Sequence, residues 1–135
     1  KILSDNFGSQ SIVVSLDIKE DIFGKKRLYN SSNNKYLNLN ILDQITKYVE
    51  LGAGEILINN VTREGSLSGF DFSILDLCTK NINVPIIVNG GIKSYKEINT
   101  ILKNDNVDAV GVGALFIYYG PHNAVLISYI PENDR

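Results

Sequence analysis

Four short apolar runs, each ending in polar or glycine residues, set the pattern of this chain. They cover residues 11–18, 55–60, 84–88 and 107–112 and are rich in the β-branched residues valine and isoleucine. Runs of this length and composition predict buried β-strands. Because the runs are hydrophobic throughout instead of alternating, they favour a parallel sheet that is covered by helices.

Helical patterns separate the predicted strands. One helix follows Asn40 and ends at Gly52, which is suited to a C-terminal cap. A shorter helix begins after Asp71 as its cap. A third begins at Ser94, since Ser94 and Glu97 have the spacing of a capping box, in which each side chain accepts a hydrogen bond from a free backbone N–H. The order is therefore strand then helix, four times.

This order predicts an α/β protein, and two architectures fit it: a (β/α)8 barrel or an open doubly wound sheet. Four units in 135 residues make half of a barrel, whose usual length is about 250 residues. The polar ends of all four strands favour the barrel, where such ends converge on one face. The polar segment 19–38 is predicted to form a long loop or a small hairpin.

Composition narrows the class of protein. With 44% hydrophobic residues and a net charge of -2, the chain is expected to form one cytoplasmic domain with no nucleic-acid or membrane partner. No apolar run approaches the roughly 18 residues that span a bilayer. The single cysteine, Cys78, is expected in the core. Because the only histidine, His122, has no metal-binding neighbours and no cofactor motif is present, we expect neither a metal nor a cofactor.

Glycine turns after the last two strands predict a phosphate site. Gly90, Gly91, Gly113 and Ala114 each lie between a strand and a helix, where backbone N–H groups can bind phosphate without a cationic side chain. Gly65 could close the site from the neighbouring loop. The alternative is that these glycines serve only the backbone geometry of tight turns.

Asp17 is the candidate catalytic residue, because it is an ionisable side chain at the end of an apolar strand. The alternative is a structural pairing with Lys19 or a loop amide. Glu64 either belongs to the phosphate site or pairs with Arg63 or solvent. Three further polar residues are predicted to lie near the substrate: Lys19, Asn60 and Asn89.

Four segments together carry a family resemblance: FGSQSIVVSLDIK, LGAGEILINNVTREGSLSGFD, VPIIVNGG and DAVGVGALF. In order and spacing they resemble the C-terminal half of the cyclase subunit of imidazole glycerol phosphate synthase, HisF. The resemblance covers nearly the whole chain. It implies that residues 1–135 form the fifth to eighth strands of a (β/α)8 barrel and that the N-terminal half is absent from this chain.

The resemblance also implies roles for particular residues. Asp17 falls on the family's second catalytic aspartate, a general acid-base group in closing the imidazole ring. Gly65, Gly91, Gly113 and Ala114 fall on the phosphate site of the C-terminal half. The implied activity is that of a lyase of histidine biosynthesis, with a phosphorylated small-molecule substrate and a glutaminase subunit that supplies ammonia.

Two departures from the family keep other functions open. The family loop reads close to TSxDRDGTxxGYD, whereas Thr62 and Glu64 stand here where aspartates are expected. The tail after Gly113 looks more like HisF-related proteins of surface-polysaccharide (lipopolysaccharide) gene sets, which implies ammonia-dependent amidation of a sugar. A third hypothesis is a non-catalytic, phosphate-binding half-barrel that forms a homodimer, since an open half leaves sheet edges exposed.

Overall fold

A six-stranded, mostly parallel sheet forms the centre of the protein in the computed structural model, which describes residues 1–78, 80–129 and 132. Its strands are β1 (Val13–Glu20), β2 (Lys26–Asn30), β3 (Lys35–Tyr36), β4 (Glu55–Asn60), β5 (Ile86–Asn89) and β6 (Ala109–Gly111). The strand order is β3-β2-β1-β4-β5-β6. Neighbours among β1, β4, β5 and β6 pair in parallel, while β2 runs antiparallel to both β1 and β3.

A helix follows each parallel strand. The remaining elements are α1 (Ile2–Phe7), a 3-10 turn (Ser9–Ser11), α2 (Ile41–Glu50), α3 (Ser73–Cys78), α4 (Tyr95–Ile101), α5 (Ala114–Ile117) and a hairpin of β7 (Tyr118–Tyr119) and β8 (Ala124–Val125). The four units β1–α2, β4–α3, β5–α4 and β6–α5 confirm the α/β class and the half-barrel prediction. Within the described ranges, no helix has the length and apolar character needed to cross a membrane.

The hydrophobic core lies on the helix-covered face of the sheet. It combines strand residues with one or more residues from each of three helices, and its most deeply buried members are Ile18, Ile45, Ile56, Ile58, Ile74, Ile86, Val88 and Ile101. Cys78, at the end of α3, is completely buried among them, as predicted. Burial raises the pKa of its thiol to about 12, because no charge compensates for the lost solvation of the thiolate.

The helix α4 begins as predicted only in part. Ser94 accepts a hydrogen bond from the backbone N–H of Glu97 at 3.2 Å. The Glu97 carboxylate does not return the bond, as a capping box requires, because it accepts from the backbone N–H groups of Phe70 at 2.8 Å and Lys93 at 2.9 Å. Glu97 therefore ties α4 to the loop between β4 and α3.

Two alternatives were predicted for the segment 19–38, a long loop or a small hairpin, and the structure has the hairpin. Asp21 shapes its turn, since its Oδ1 atom accepts from the backbone N–H groups of Phe23 at 2.9 Å and Lys25 at 3.0 Å. At the base of the hairpin, the Thr62 hydroxyl accepts from the backbone N–H of Glu20 at 2.9 Å. The hairpin is thus attached to the loop that follows β4.

Candidate functional site

One row of residues crosses the parallel sheet at the carboxyl ends of its strands. Asp17 in β1 is in register with Asn59 in β4, Asn59 with Asn89 in β5, and Asn89 with Gly111 in β6. Side chains alternate between the faces of a sheet. Since the neighbours of Asp17 and Asn59 in sequence are buried in the core, this row lies on the opposite face, which we call the open face.

Hydrogen bonds join the side chains of this row, and Asn59 is their centre. The Asn59 Nδ2 atom donates to Asp17 Oδ1 at 3.1 Å and to Glu64 Oε2 at 3.3 Å. The Asn59 Oδ1 atom accepts from Asn89 Nδ2 at 3.0 Å. Ser31, just beyond β2, donates its hydroxyl to Asp17 Oδ2. We call these five residues the Asn59 network.

A cavity of about 210 Å³ adjoins the network. Glu64 and Asn89 belong to both, because their side chains take part in the network and also line the cavity. The rest of the lining is mostly glycine and apolar: Gly65, Leu67, Gly91, Ile92, Gly111, Val112, Gly113, Ala114 and Tyr118. The structure therefore connects Asp17 to this cavity by way of Asn59, although Asp17 itself lines a second cavity together with Ser31.

No lysine or arginine is among the described lining residues of this cavity, so its donors are backbone amides and the neutral side chains of Asn89 and Tyr118. Among the described residues, the N–H groups of Gly65, Gly91, Gly113 and Ala114 have no hydrogen-bond acceptor. Ala114 is the first residue of α5, where a helix leaves its amides free. Free backbone amides that line one cavity can bind an anion without a cationic side chain.

Gly90 differs from the other predicted phosphate residues, because it does not line the cavity. Its φ angle is 113°, and an added Cβ would lie 2.6 Å from the carbonyl oxygen of Asn60. This position therefore needs glycine for close packing of the backbone of β4. A Cβ added at Gly113, in contrast, would meet no other atom within 4 Å, so this glycine faces open space.

Two residues predicted near the substrate lie apart from the network. Asn60 is 4% exposed and alternates onto the core face with Ile58, so Asn59 rather than Asn60 is beside Asp17. Lys19 does not pair with Asp17. Its ammonium lies 4.3 Å from the ring centroid of Tyr29, in a cation–π contact.

Arg63 likewise does not pair with Glu64. It donates from Nη1 to the Gly69 carbonyl at 2.9 Å, and its Nη2 lies 4.0 Å from Asp71 Oδ2. The Lys26 ammonium is 3.0 Å from the same carboxylate oxygen. Burial acts to raise the pKa of Asp71, but hydrogen bonds from Ser73 and Lys26 and the Lys26 charge outweigh it, so the pKa is lowered.

Sequence reasoning missed Asn59 and Ser31. The alternation of side chains along a strand could have identified Asn59, because Asp17 and Asn59 each come one position after a core residue and so lie on the other face. No local signal identifies Ser31, whose position depends on how the hairpin folds back. Within the described residues there is no cluster of three or more side chains suited to a metal ion.

Comparisons with known proteins match this architecture. Residues 1–123 match the family model described as histidine biosynthesis protein. A relative from Pseudomonas aeruginosa, provisionally named imidazole glycerol phosphate synthase subunit hisF2, is 34% identical over 97% of this chain and 52% of its own length. HisF of Alkaliphilus metalliredigens, an imidazole glycerol phosphate synthase subunit, is 31% identical over 83% of this chain and 44% of its own length.

A further relative, from Leptospira interrogans, carries the provisional name imidazole glycerol phosphate synthase subunit HisF and is 33% identical over 95% of this chain and 51% of its own length. The chain thus spans about half the length of the curated relatives it matches. Since the family model covers most of its residues, the chain belongs to the histidine biosynthesis protein family.

Proposed function

We propose that this chain provides the C-terminal half of the active site of a HisF-type cyclase. The reaction is the ammonia-dependent formation of imidazole glycerol phosphate from an aminated ribulosyl precursor, with ammonia supplied by a glutaminase subunit. The observation that carries the proposal is the hydrogen-bonded connection from Asp17 through Asn59 to Glu64 and Asn89, which line a cavity of free amides. The similarity to HisF relatives supports the same reaction.

In this proposal the cavity holds one phosphate group of the substrate. The amides of Gly65, Gly91, Gly113 and Ala114 donate to the phosphate oxygens. Ile92, which is buried, adds an apolar side chain to the lining of the cavity. Glu64 is one wall of the cavity. Its carboxylate accepts a hydrogen bond from the Asn59 amide, which partly compensates its negative charge beside a bound phosphate.

Asp17 is the acid-base group of the proposed reaction. Its two carboxylate oxygens are held by different donors, the Asn59 amide and the Ser31 hydroxyl, so the side chain has a fixed orientation on the open face. A carboxylate held in this way can accept and return a proton as the ring closes. Neither of these two donors is cationic.

The test is turnover of the precursor with ammonium salt, comparing the wild type with Asp17→Asn. The chain is assayed alone and together with the N-terminal half of a HisF relative. We expect Asp17→Asn to lower kcat by about a hundredfold or more, as for loss of an acid-base group, with inorganic phosphate binding largely kept. Asp105→Asn, an exposed carboxylate far along the chain, is the matched control.

Two outcomes contradict the proposal. One is the absence of turnover in both assays. The other is an equal loss of turnover and phosphate binding in Asp17→Asn, which would give Asp17 a structural role instead of a chemical one.

A second candidate is ammonia-dependent amidation of a sugar in surface-polysaccharide biosynthesis. It is favoured by the loop after β4. In this loop the Thr62 hydroxyl accepts a hydrogen bond from the backbone N–H of Glu20 in the hairpin, and the Glu64 carboxylate accepts one from the Asn59 amide. Both positions carry aspartate in the usual HisF loop, so Thr62 removes a negative charge and Glu64 keeps its charge on a longer side chain. A deletion strain that loses the amidated sugar but still grows without histidine would select this function, and histidine auxotrophy would reject it.

A further inference from the structure

Asn59 is placed to control the geometry of two carboxylates at once. The two N–H bonds of its Nδ2 atom are both used, one toward Asp17 and one toward Glu64. Asp17 lies on β1 and Glu64 on the loop beyond β4, so the two carboxylates are carried by different segments of the backbone. A single amide is therefore what holds the proton-transfer candidate and the cavity wall in one arrangement.

The two carboxylates fix which way that amide points, because they can only accept hydrogen bonds. Asn89 completes the arrangement by donating to Asn59 Oδ1 at 3.0 Å. If the Asn59 amide were turned by half a rotation, its carbonyl oxygen would face two carboxylates and its NH₂ group would face the NH₂ of Asn89. Both of these contacts would bring like partial charges together, so the network allows only one orientation of the Asn59 amide. Gly111 leaves room for Asn89, since an added Cβ would lie 3.3 Å from Asn89 Cβ.

We propose that Asn59 is a positioning residue, which holds Asp17 in its working orientation and connects it to the glycine-lined cavity through Glu64 and Asn89. This inference rests on the proposed function for its effect on turnover. Asn59 does not fill the hydrophobic core, because it lies on the open face and is only partly buried. Its loss should therefore change the orientation of Asp17 with little effect on folding.

The first experiment needs no activity. Hydrogen exchange of side-chain amides is followed by NMR in the full chain, with the exposed Asn38 as an internal reference. We expect the Asn59 NH₂ protons to exchange at least about tenfold more slowly than those of Asn38, as for a hydrogen bond to a charged group. Asp17→Ala, which removes one of the two acceptors of this NH₂ group, should lower the protection. Equal exchange of Asn59 and Asn38, or no effect of Asp17→Ala, would overturn the proposal.

The second experiment measures turnover in Asn59→Asp, which keeps the shape of the side chain but replaces its two donated protons with a negative charge. We expect kcat to fall about tenfold to a hundredfold, with KM changed by less than about threefold. Asn38→Ala should leave kcat and KM unchanged. An Asn59→Asp variant with the kcat of the wild type would refute the positioning role.

The two experiments separate this inference from the proposed function. Slow exchange at Asn59 in a protein with no turnover would support the inference that Asn59 positions the carboxylates, and it would reject the proposed cyclase reaction. Turnover that depends on Asp17 but not on Asn59 would keep the reaction and reject the positioning role.

Discussion

The two faces of the parallel sheet differ in packing and in chemistry. On the helix-covered face, Ile18, Ile56 and Val88 are at most 1% exposed and contact the helices. On the open face, Val13 is 52% exposed, and Asp17 lies near the end of its strand within a hydrogen-bonded network. The same strands thus provide a rigid apolar support on one side and a polar site on the other, which separates stability from function.

The open face is itself divided along the strands. Below the polar row lies a second row in which Ser15, Leu57, Ile87 and Ala109 are in register. In a closed (β/α)8 barrel, inward side chains stack in such layers and fill the interior. The apolar layer is therefore that of a barrel interior, and the polar layer at the carboxyl ends is where barrel enzymes place their chemistry.

The strongest test of the difference between the two faces is to truncate neighbouring side chains on opposite faces of β4. Ile56→Ala should lower the free energy of unfolding by about 2–5 kcal/mol, because it leaves a cavity in a core position that is 0% exposed. Leu57→Ala should lower it by about 1 kcal/mol, since its side chain is already partly in solvent. Denaturant unfolding measures both. Equal losses would show that the open face is packed as tightly as the core.

The sequence predicted the strands well because their apolar runs are local signals. The end of β1 was less predictable. The apolar run stops at Ile18, whereas the strand continues to Glu20, since Lys19 and Glu20 pair with Arg27 and Lys26 of the hairpin. Such pairing depends on a partner strand that lies outside the apolar run. The β-propensity of the run itself therefore carries no information about where the strand ends.

The site was predictable only up to the choice of face. Glycine turns after β5 and β6 are visible in the sequence, and the structure brings Gly91 and Gly113 to one cavity. Runs that are apolar throughout conceal which face a terminal polar residue joins, so Asn60 was predicted to lie near the substrate, although Asn59 is the residue that contacts Asp17 on the open face. Alternation from the core residue Ile58 resolves the choice, but only once the core face is known.

Two glycines extend the comparison to the turns after the strands. Gly90→Ala should lower the free energy of unfolding by about 2 kcal/mol, because its φ of 113° and the 2.6 Å approach of Asn60 leave no space for a Cβ. Gly113→Ala should change it by less than about 0.5 kcal/mol, since its φ is -114° and its surroundings are open. Thermal or urea unfolding distinguishes them. Similar losses for both would mean that Gly113 is also packed against its neighbours.

The smallest effect concerns Asp71, which joins the hairpin to the loop that carries Glu64 and belongs to neither face. Asp71→Asn should lower the free energy of unfolding by about 1 kcal/mol at pH 7, because it weakens the ion pair with Lys26. The pKa of Asp71 is lowered in the folded protein. Its contribution is therefore complete above the ordinary aspartate pKa of about 4 and is lost as the pH falls through the lowered value.

Urea unfolding of the wild type and Asp71→Asn, at pH 7 and at about pH 2, tests the direction of this shift. The two proteins should differ at the higher pH, and the difference should shrink toward the lower one as the wild-type carboxylate takes up a proton. A difference that stays constant with pH would mean that the Asp71 charge is not what stabilises the loop. A loss as large as that of Ile56→Ala would mean that the loop bearing Glu64 supports the core, and the separation between a stabilising face and a functional face would then fail at this point.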